Sequence, residues 1–339
     1  MKKRPCIKYF SPLIVSALLL TTTTTLANAI DINVATAYSE DNFHTQNLKK
    51  FAQDVKQESA GKVNFVIHSG GALLKPADIF QGVKEGKAPA GEVLMSTLTK
   101  ENPAFGMDAL PFIVSGYVDA RKMWEEQRQL ISARLEQRDL FLLYAVPWPP
   151  QHIYSKNPIV AVKDFKGQRM RTYNPSTVRL AELIGALPTA IQAINLGKAI
   201  KNEEVDMMLT SSQTGVEAKA WTTLKHYYKV NAWIPKNMVF MSRKLFLSLD
   251  AVSQKTVLDA ARIAENRGWK LSEEIDKSEE ETLVANNVIV EMIDPYLRKY
   301  LDRIGENLAR EWLQQGTETE QMVLIQYTFN RTMLTKSGF

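Results

Sequence analysis

The stretch VSQKTVLDAARIAENRGWKLSEEIDKSEEETLVA, residues 252–285, carries its apolar residues at helical spacing and predicts one long helix. At 1.5 Å per residue, such a helix would be on the order of 50 Å long. A helix of that length can cross two lobes. The stretch therefore indicates that the chain folds into two parts that share one helix.

Strand and helix patterns alternate on the N-terminal side of this helix. The apolar runs at 31–38, 63–71 and 91–97 are separated by helical patterns, an order that predicts a mostly parallel sheet covered by helices. A fully apolar strand at 140–148 ends in a proline cluster, and a second α/β pattern starts near Ile153. Its predicted strands are 168–174, 189–194, 205–212 and 287–293, with a strand-like stretch at 230–246.

We therefore expect an α/β chain of two lobes, each a mostly parallel sheet flanked by helices, with the long helix spanning both. The expected organisation is a signal peptide at 1–29, a first lobe of 30–148 plus 237–270, a second lobe of 149–236 plus 271–316, and a C-terminal helix at 317–339 that packs on the lobes.

The first 29 residues predict a secretory signal peptide. Four basic residues, a short apolar run at 13–20 and the small-x-small sequence Ala27-Asn28-Ala29 follow in the order of such a signal, with cleavage after Ala29. The apolar run is much shorter than the about 20 residues that span a bilayer, although a retained anchor is the alternative. We expect a periplasmic protein of 310 residues, without cysteine, because Cys6 lies in the signal.

The basic charge of the full chain belongs mostly to this signal. Of the 42 Lys and Arg residues, four precede the expected cleavage point, which leaves 38 against 37 acidic residues. This balance argues against nucleic acid or an anionic membrane surface as a partner.

Sequence motifs for catalysis, metals or cofactors are missing. The four histidines have no metal-ligand spacing, and we interpret them as surface or hydrogen-bonded side chains; they are His44, His68, His152 and His226. No phosphate loop, dinucleotide fingerprint or nucleophile elbow is found, so we expect no cofactor and no metal. A protein that captures a small solute in its cleft, at the carboxyl ends of strands, is favoured. A secreted enzyme with a dispersed active site is the alternative.

Five segments, in order along the chain, carry a family resemblance. They are PADIFQGVKEGKAPAGEVLMS (76–96), ENPAFGMDALPFI (101–113), DFKGQRMRTYNPS (164–176), EEVDMMLTSS (203–212) and AWIPKN (232–237). The chain resembles the solute receptors of tripartite ATP-independent periplasmic (TRAP) transporters, in the branch with the dicarboxylate-receptor fold. The resemblance implies two α/β lobes of a periplasmic binding protein and a carboxylate ligand that passes to an ion-gradient-driven permease of a small and a large membrane subunit.

In this family an arginine of the Gly-x-(Lys/Arg)-x-Arg strand holds the ligand carboxylate, and the matching residue is Arg171. A guanidinium also suits this role on chemical grounds, because its planar fork pairs with a carboxylate through two parallel hydrogen bonds. The alternative is an internal salt bridge. Arg169, two residues earlier, is interpreted as a cleft-edge or structural charge.

The chain departs from the family pattern at two places. Many members carry a second arginine after the VPW strand, where this chain has Trp148 and Gln151. The family's ligand-contacting asparagine is replaced by Thr210, followed by Ser211 and Ser212. The further cleft candidates are Tyr38, Asn42, Glu92, Ser96, Phe105, Tyr173, Asn174, Trp233 and Asn237, with lobe packing the favoured interpretation for Phe105 and Trp233.

One arginine and several aromatic residues favour a monocarboxylate with an apolar or aromatic body. Two charge-assisted hydrogen bonds supply about 3–6 kcal/mol gross, less than the about 8 kcal/mol of micromolar binding, so apolar burial must add the rest. A sugar acid or a keto acid stays open, because polar side chains are also available. A sensory module that presents its ligand to a signalling receptor would use the same fold. We expect a monomer.

Overall fold

The computed structural model describes residues 29–336, with side chains to residue 330. The predicted signal peptide therefore lies outside the described residues, apart from Ala29. The chain forms two sheets with helices on their faces. No helix in this described range is both long and apolar enough to cross a membrane.

The first sheet has the order β2-β1-β3-β10-β4. Its strands are β1 (Ile30–Ala35), β2 (Val63–His68), β3 (Ala90–Leu94), β4 (Leu140–Pro147) and β10 (Lys236–Ser242). Strand β1 pairs in parallel with β2 and β3, whereas β10 runs antiparallel between β3 and β4. One strand of the five thus opposes the others, and the prediction of a mostly parallel sheet is confirmed.

The second sheet has the order β11-β9-β5-β8-β6-β7. Its strands are β5 (His152–Ser155), β6 (Arg169–Thr172), β7 (Leu187–Ala190), β8 (Met207–Thr210), β9 (His226–Lys229) and β11 (Ile289–Met292). Here β5 is the strand that opposes its neighbours β8 and β9. We call the layers around the first sheet the first lobe, and those around the second sheet the second lobe.

Helices cover the faces of both sheets. They are α1 (Phe43–Glu58), α2 (Ile79–Lys84), α3 (Tyr117–Glu136), α4 (Pro175–Ile184), α5 (Ala193–Lys201), α6 (Ser212–Glu217), α7 (Arg243–Ser248), α8 (Ala251–Ala285), α9 (Pro295–Gln315) and α10 (Glu318–Lys336). Side-chain caps start several of them, as at α1, where Asn42 accepts the backbone N–H of His44. Helix α4 ends at Gly185, whose φ of 78° is the left-handed conformation that glycine adopts without steric cost.

Helix α8 joins the two lobes, as the sequence predicts. Its 35 residues begin at a side-chain cap, where Asp250 accepts the N–H of Ser253. The helix packs against α1 and β4 of the first lobe and against α6 and β11 of the second. Helix α10 packs on α3, so the C-terminal helix lies against the first lobe.

The structure differs from the predicted elements at three places. The stretch 189–194 is not one strand, because β7 ends at Ala190 and α5 begins at Ala193. The buried residues of α5, Leu196, Ala199 and Ile200, have helical spacing, so the end of this stretch belongs to the helix. Of the stretch 230–246, only β10 is a strand, and Ser242 caps the helix that follows. The short strand β9 was not predicted.

Candidate functional site

A cavity of about 730 Å³, partly open to solvent, lies between the lobes. Most of the residues that line it lie in the carboxyl-terminal part of a strand or in the loop after it, at β1, β3 and β4 in the first lobe and at β6, β7 and β8 in the second. Loops converge at such strand ends, which is where ligands bind in α/β sheets. Eight of the fifteen predicted site residues line this cavity; they are Tyr38, Glu92, Trp148, Gln151, Arg171, Tyr173, Thr210 and Ser211.

Arg171 on β6 places a buried guanidinium on the second-lobe wall of the cavity. Its side chain is 3% exposed. Nε donates to the carbonyl of Ile191 at 3.0 Å, and Nη1 donates to Oγ1 of Thr210 at 3.3 Å. The guanidinium also lies 4.7 Å from the centre of the Tyr173 ring. These contacts fix the direction of the fork and leave Nη2 without a partner among the described residues.

No carboxylate of the described chain forms an ion pair with Arg171. Burial lowers the pKa of Arg171 to about 10, so the side chain remains a cation at neutral pH. A buried charge without a counterion is costly, and an anion that enters the cavity removes that cost. The arrangement can therefore accept a carboxylate.

Arg169, two residues earlier on the same strand, has a different environment. Its Nε and Nη2 donate to the two carboxylate oxygens of Asp206 at 2.8 and 2.6 Å. The side chain is about half exposed and does not line the cavity. Arg169 thus forms a structural salt bridge at the start of β6, and the two arginines have separate roles.

Neutral hydrogen-bonding groups surround Arg171 on the second-lobe side. The hydroxyl of Tyr173 donates to Oε1 of Gln151 at 2.9 Å, and Gln151 in turn donates to the carbonyl of Pro149 at 2.8 Å. Ser211 lines the cavity and caps α6 by accepting the N–H of Thr214. These side chains hold each other in place and offer polar atoms without a second positive charge.

Aromatic side chains form the first-lobe wall. The indole of Trp148 lies 5.1 Å from the ring of Tyr38 and 4.4 Å from that of His44. Both the Tyr38 hydroxyl and the Trp148 N–H donate to Oδ1 of Asn237, at 3.1 and 2.9 Å. Asn237 thus orients the two rings from behind, and the rings give the cavity an apolar face.

Glu92 on β3 is the acidic residue of this wall. It is 2% exposed, and its Oε2 accepts a hydrogen bond from Thr36 at 2.6 Å. Burial raises the pKa of Glu92 to about 7, while Thr36 and Asn237 oppose that rise. A carboxyl group with this pKa exists in both protonation states near neutral pH.

Five predicted site residues lie beside the cavity rather than on its surface: Ser96, Asn174, Ser212, Trp233 and Asn237. Asn174 caps α4 and donates to Oγ of Ser96 at 2.8 Å, which joins the lobes. Ser212 donates to Asp276 of α8 at 2.9 Å. Trp233 is fully buried in the core of the second lobe.

The remaining two candidates, Phe105 and Asn42, do not line the cavity either. Phe105 is fully buried in the first-lobe core, which agrees with its interpretation as a packing residue. Asn42 caps α1 and donates to Oε1 of Glu217 at 2.8 Å, a second hydrogen bond between the lobes.

Sequence reasoning missed several residues that line the cavity, among them Pro76, Thr97, Gln192, Ile194 and Thr214. The sequence pattern predicts a strand for Gln192 and Ile194, whereas the structure places Gln192 at the N-cap of α5 and Ile194 in its first turn. The rule that ligands bind after the carboxyl ends of strands would have identified them, had the end of β7 been predicted at Ala190.

The interpretation of the histidines as surface or hydrogen-bonded side chains is wrong for His44. This residue is 1% exposed, and neither ring nitrogen has a hydrogen-bond partner in the described chain. The Asn42 cap directs the first turn of α1 toward the cleft, where the His44 ring packs against Trp148. Burial lowers the pKa of His44 well below its usual range, so the ring is neutral.

One group of described side chains has the composition of a metal site: His152 with Asp276 and Glu280 of α8. Nδ1 of His152 accepts the backbone N–H groups of Val230 and Asn231 at 3.0 and 3.3 Å. Burial lowers the pKa of His152 to about 3, so the neutral ring carries its proton on the other nitrogen. Neither nitrogen then offers a free lone pair to a metal.

The chain is similar to known solute receptors over most of its length. Residues 34–315 match the family described as bacterial extracellular solute-binding protein, family 7. A Bordetella pertussis extracytoplasmic solute receptor that binds pyroglutamic acid is 36% identical, with a TM-score of 0.86 over 88% of this chain and 99% of that one. A TRAP solute-binding protein from a marine metagenome, specific for pyroglutamate, is 33% identical, with a TM-score of 0.84 over 88% and 97%.

The chain is also similar to more distant relatives. A TRAP solute-binding protein of Desulfovibrio salexigens with bound orotic acid is 19% identical, with a TM-score of 0.81 over 89% of this chain and 99% of that one. The C4-dicarboxylate-binding protein of Bacillus subtilis is 20% identical over 283 residues, which cover 78% of this chain and 80% of that protein. These relatives are solute receptors, and the inter-lobe cavity with its buried, unpaired arginine agrees with that role. The chain therefore belongs to the family 7 extracellular solute-binding proteins, the DctP-type receptors of TRAP transporters, and it is a receptor rather than an enzyme.

Proposed function

We propose that this receptor captures a small organic monocarboxylate of the pyroglutamate class in the periplasm and delivers it to a TRAP permease. The observation that carries the proposal is Arg171, a buried guanidinium on the cavity wall without a carboxylate partner in the described chain. A ligand carboxylate supplies that partner through the fork geometry of the arginine.

The charge of the cavity favours one carboxylate over two. Among the residues that line it, Arg171 is the single Lys or Arg, and Glu92 is the single acid. A second ligand carboxylate would be buried without a cation, and burying an unpaired charge lowers the binding free energy by several kcal/mol, roughly. The Tyr38 and Trp148 rings suit an apolar ring or chain in place of that second carboxylate.

The relatives support the same ligand class. The Bordetella pertussis and marine receptors at 33–36% identity bind pyroglutamate, which is a monocarboxylate with a five-membered lactam ring. The receptor with bound orotic acid is below 20% identity, and it therefore supports the fold and not the ligand.

The location and partners follow from the same proposal. The signal peptide directs the chain to the periplasm with cleavage after Ala29, and the mature receptor acts as a monomer. It meets the small and large membrane subunits of the permease after its lobes close on the ligand.

The test is thermal unfolding of the mature protein with a panel of acids: L-pyroglutamate, orotate, D-glucuronate and malate. L-pyroglutamate should raise the melting temperature, because a ligand at 100 times its Kd adds about 2.7 kcal/mol to the free energy of unfolding. The Arg171→Ala variant should lose this rise, and Arg171→Lys should retain only part of it, because lysine cannot pair bidentately.

Arg169→Ala is the matched control, since it removes an arginine from the same strand but leaves the cavity intact. It should lower the melting temperature slightly while the ligand-induced rise persists. A full rise in Arg171→Ala, or a larger rise with malate than with any monocarboxylate, would contradict the proposal.

A further inference from the structure

A basic and an acidic side chain face the cavity from different lobes. Arg171 lies on β6 of the second lobe, and Glu92 lies on β3 of the first lobe. Each is at most 3% exposed, and they form no ion pair with one another. A ligand between the lobes therefore meets a cation at one wall and an acid at the other.

Glu92 has one oxygen satisfied and one available. Thr36 donates to Oε2 at 2.6 Å. The nearest ring nitrogen to Oε1 is Nδ1 of His44 at 3.6 Å, beyond hydrogen-bond distance, and that ring is neutral. Asn237 lies on the same side and lowers the pKa of Glu92, but its Nδ2 is at hydrogen-bond distance from no acceptor in the described chain. No Lys or Arg of the described residues pairs with Glu92.

A buried carboxylate oxygen without a donor is unfavourable, and such groups are normally satisfied by protein, water or ligand. On this wall Oδ1 of Asn237 has two donors, whereas Nδ2 of Asn237 and both ring nitrogens of His44 have no partner in the described chain. Glu92 lines the cavity, and its Oε1 has no protein donor at hydrogen-bond distance in the described chain.

We infer that Glu92 is a specificity-determining residue, which accepts a hydrogen bond from an N–H group of the ligand placed opposite the carboxylate held by Arg171. The ligand class is a carboxylic acid with a lactam, amide or other N–H donor in the same small molecule. The inference rests on the proposed function and narrows it, because dicarboxylates and simple keto acids lack the donor.

The selectivity has a physical basis in the cost of an unpaired acceptor. An analogue in which oxygen replaces the ring N–H would place a lone pair against the Glu92 carboxylate. A site built to hydrogen-bond a ligand group discriminates strongly against analogues that lack the group. In favourable cases the preference is about 10⁴-fold or more. For a single acceptor at a cleft wall we expect a discrimination on the order of 100-fold.

The experiment compares L-pyroglutamate with its lactone analogue, in which a ring oxygen replaces the N–H, by calorimetric titration of the mature receptor. The wild type should bind the lactam about 100-fold more tightly than the lactone. In Glu92→Ala this ratio should fall to within about threefold of unity. Glu92→Met, which keeps the length of the side chain but removes both oxygens, provides the same comparison if the alanine variant unfolds.

Thr97→Ala is the matched control, because Thr97 lines the cavity shortly after Glu92 and is exposed. Its affinity for both acids should change together, so the ratio stays that of the wild type. A wild-type ratio near unity, or a ratio that survives in both Glu92 variants, would overturn the inference while Arg171-dependent binding still supports the proposed function. Failure of wild type to bind either acid would instead overturn the proposed function.

Discussion

At the scale of single residues, the cavity holds two ionisable groups that burial affects in opposite ways. Burial lowers the pKa of Arg171 to about 10, which leaves it charged, and raises that of Glu92 to about 7, which makes its charge depend on pH. The other titratable groups that face Glu92 are Tyr38, His44 and Tyr144. Burial keeps all three neutral near pH 7, because it raises the pKa of the tyrosines and lowers that of the histidine.

The raised pKa of Glu92 predicts that Glu92→Gln stabilises the ligand-free protein at alkaline pH. A carboxyl whose pKa rises from about 4.5 in the unfolded chain to about 7 destabilises the fold progressively as pH increases between these values. The variant should raise the free energy of unfolding by about 2–3 kcal/mol at pH 8 and by less than about 0.5 kcal/mol at pH 4.5. Urea unfolding at the two pH values measures this. An equal change at both would mean that Glu92 does not carry a buried charge.

At the scale of elements, α8 approaches the first sheet closely at one residue. A Cβ atom at Gly268 would lie 2.5 and 2.7 Å from the two methyl groups of Val146 on β4, and 2.9 Å from Nδ2 of Asn47 on α1. Valine is stiff at χ1, so its methyl groups cannot move away easily. Asn47 is held in turn, because it donates to the carbonyl of Ala264 at 3.0 Å.

Gly268→Ala should therefore destabilise the protein by about 1–3 kcal/mol, although alanine favours helices over glycine. The loss comes from overpacking against Val146 and should appear as a lower midpoint of urea unfolding. Glu281→Ala, at an exposed position of the same helix, serves as the control and should change the free energy of unfolding by less than about 0.5 kcal/mol. A stabilised Gly268→Ala variant would show that helix propensity outweighs the close contact.

Long elements were predictable from the sequence, whereas some of the short ones were not. Helix α8 was expected at 252–285 and is observed at Ala251–Ala285, because 35 residues sample the helical period many times. Strand β9 has four residues and offers too few positions to define a period. Because β7 is also only four residues long, Gln192 was predicted to lie in a strand and was not predicted to line the cavity. A sequence motif marked Arg171, which lines the cavity. The burial of His44, in contrast, depends on how α1 meets Trp148, a contact between distant elements.

At the scale of the whole molecule, the lobes are held together across the cleft by side chains outside the cavity surface. Asn42 of the first lobe donates to Glu217 on α6 of the second, and Asn174 of the second donates to Ser96 of the first. The two asparagines also cap helices of their own lobes, Asn42 at α1 and Asn174 at α4. These bonds exist only when the lobes are close, so they contribute to the closed arrangement and not to the fold of either lobe.

The double variant Ser96→Ala with Glu217→Ala should weaken ligand binding without a matching loss of folding stability. It removes both cross-cleft acceptors and leaves the helix-capping asparagines intact. Each hydrogen bond contributes about 0.5–1.5 kcal/mol net, so Kd should rise by roughly 5- to 150-fold, while unfolding of the ligand-free protein changes little. Calorimetry gives Kd, and small-angle X-ray scattering reports closure as the fall in radius of gyration on adding ligand.

Ser278→Ala with Glu281→Ala, at exposed positions of α8, is the control pair. If the cross-cleft pair leaves Kd unchanged, closure depends on the ligand contacts alone, and Arg171 and Glu92, on opposite walls, are what bring the lobes together.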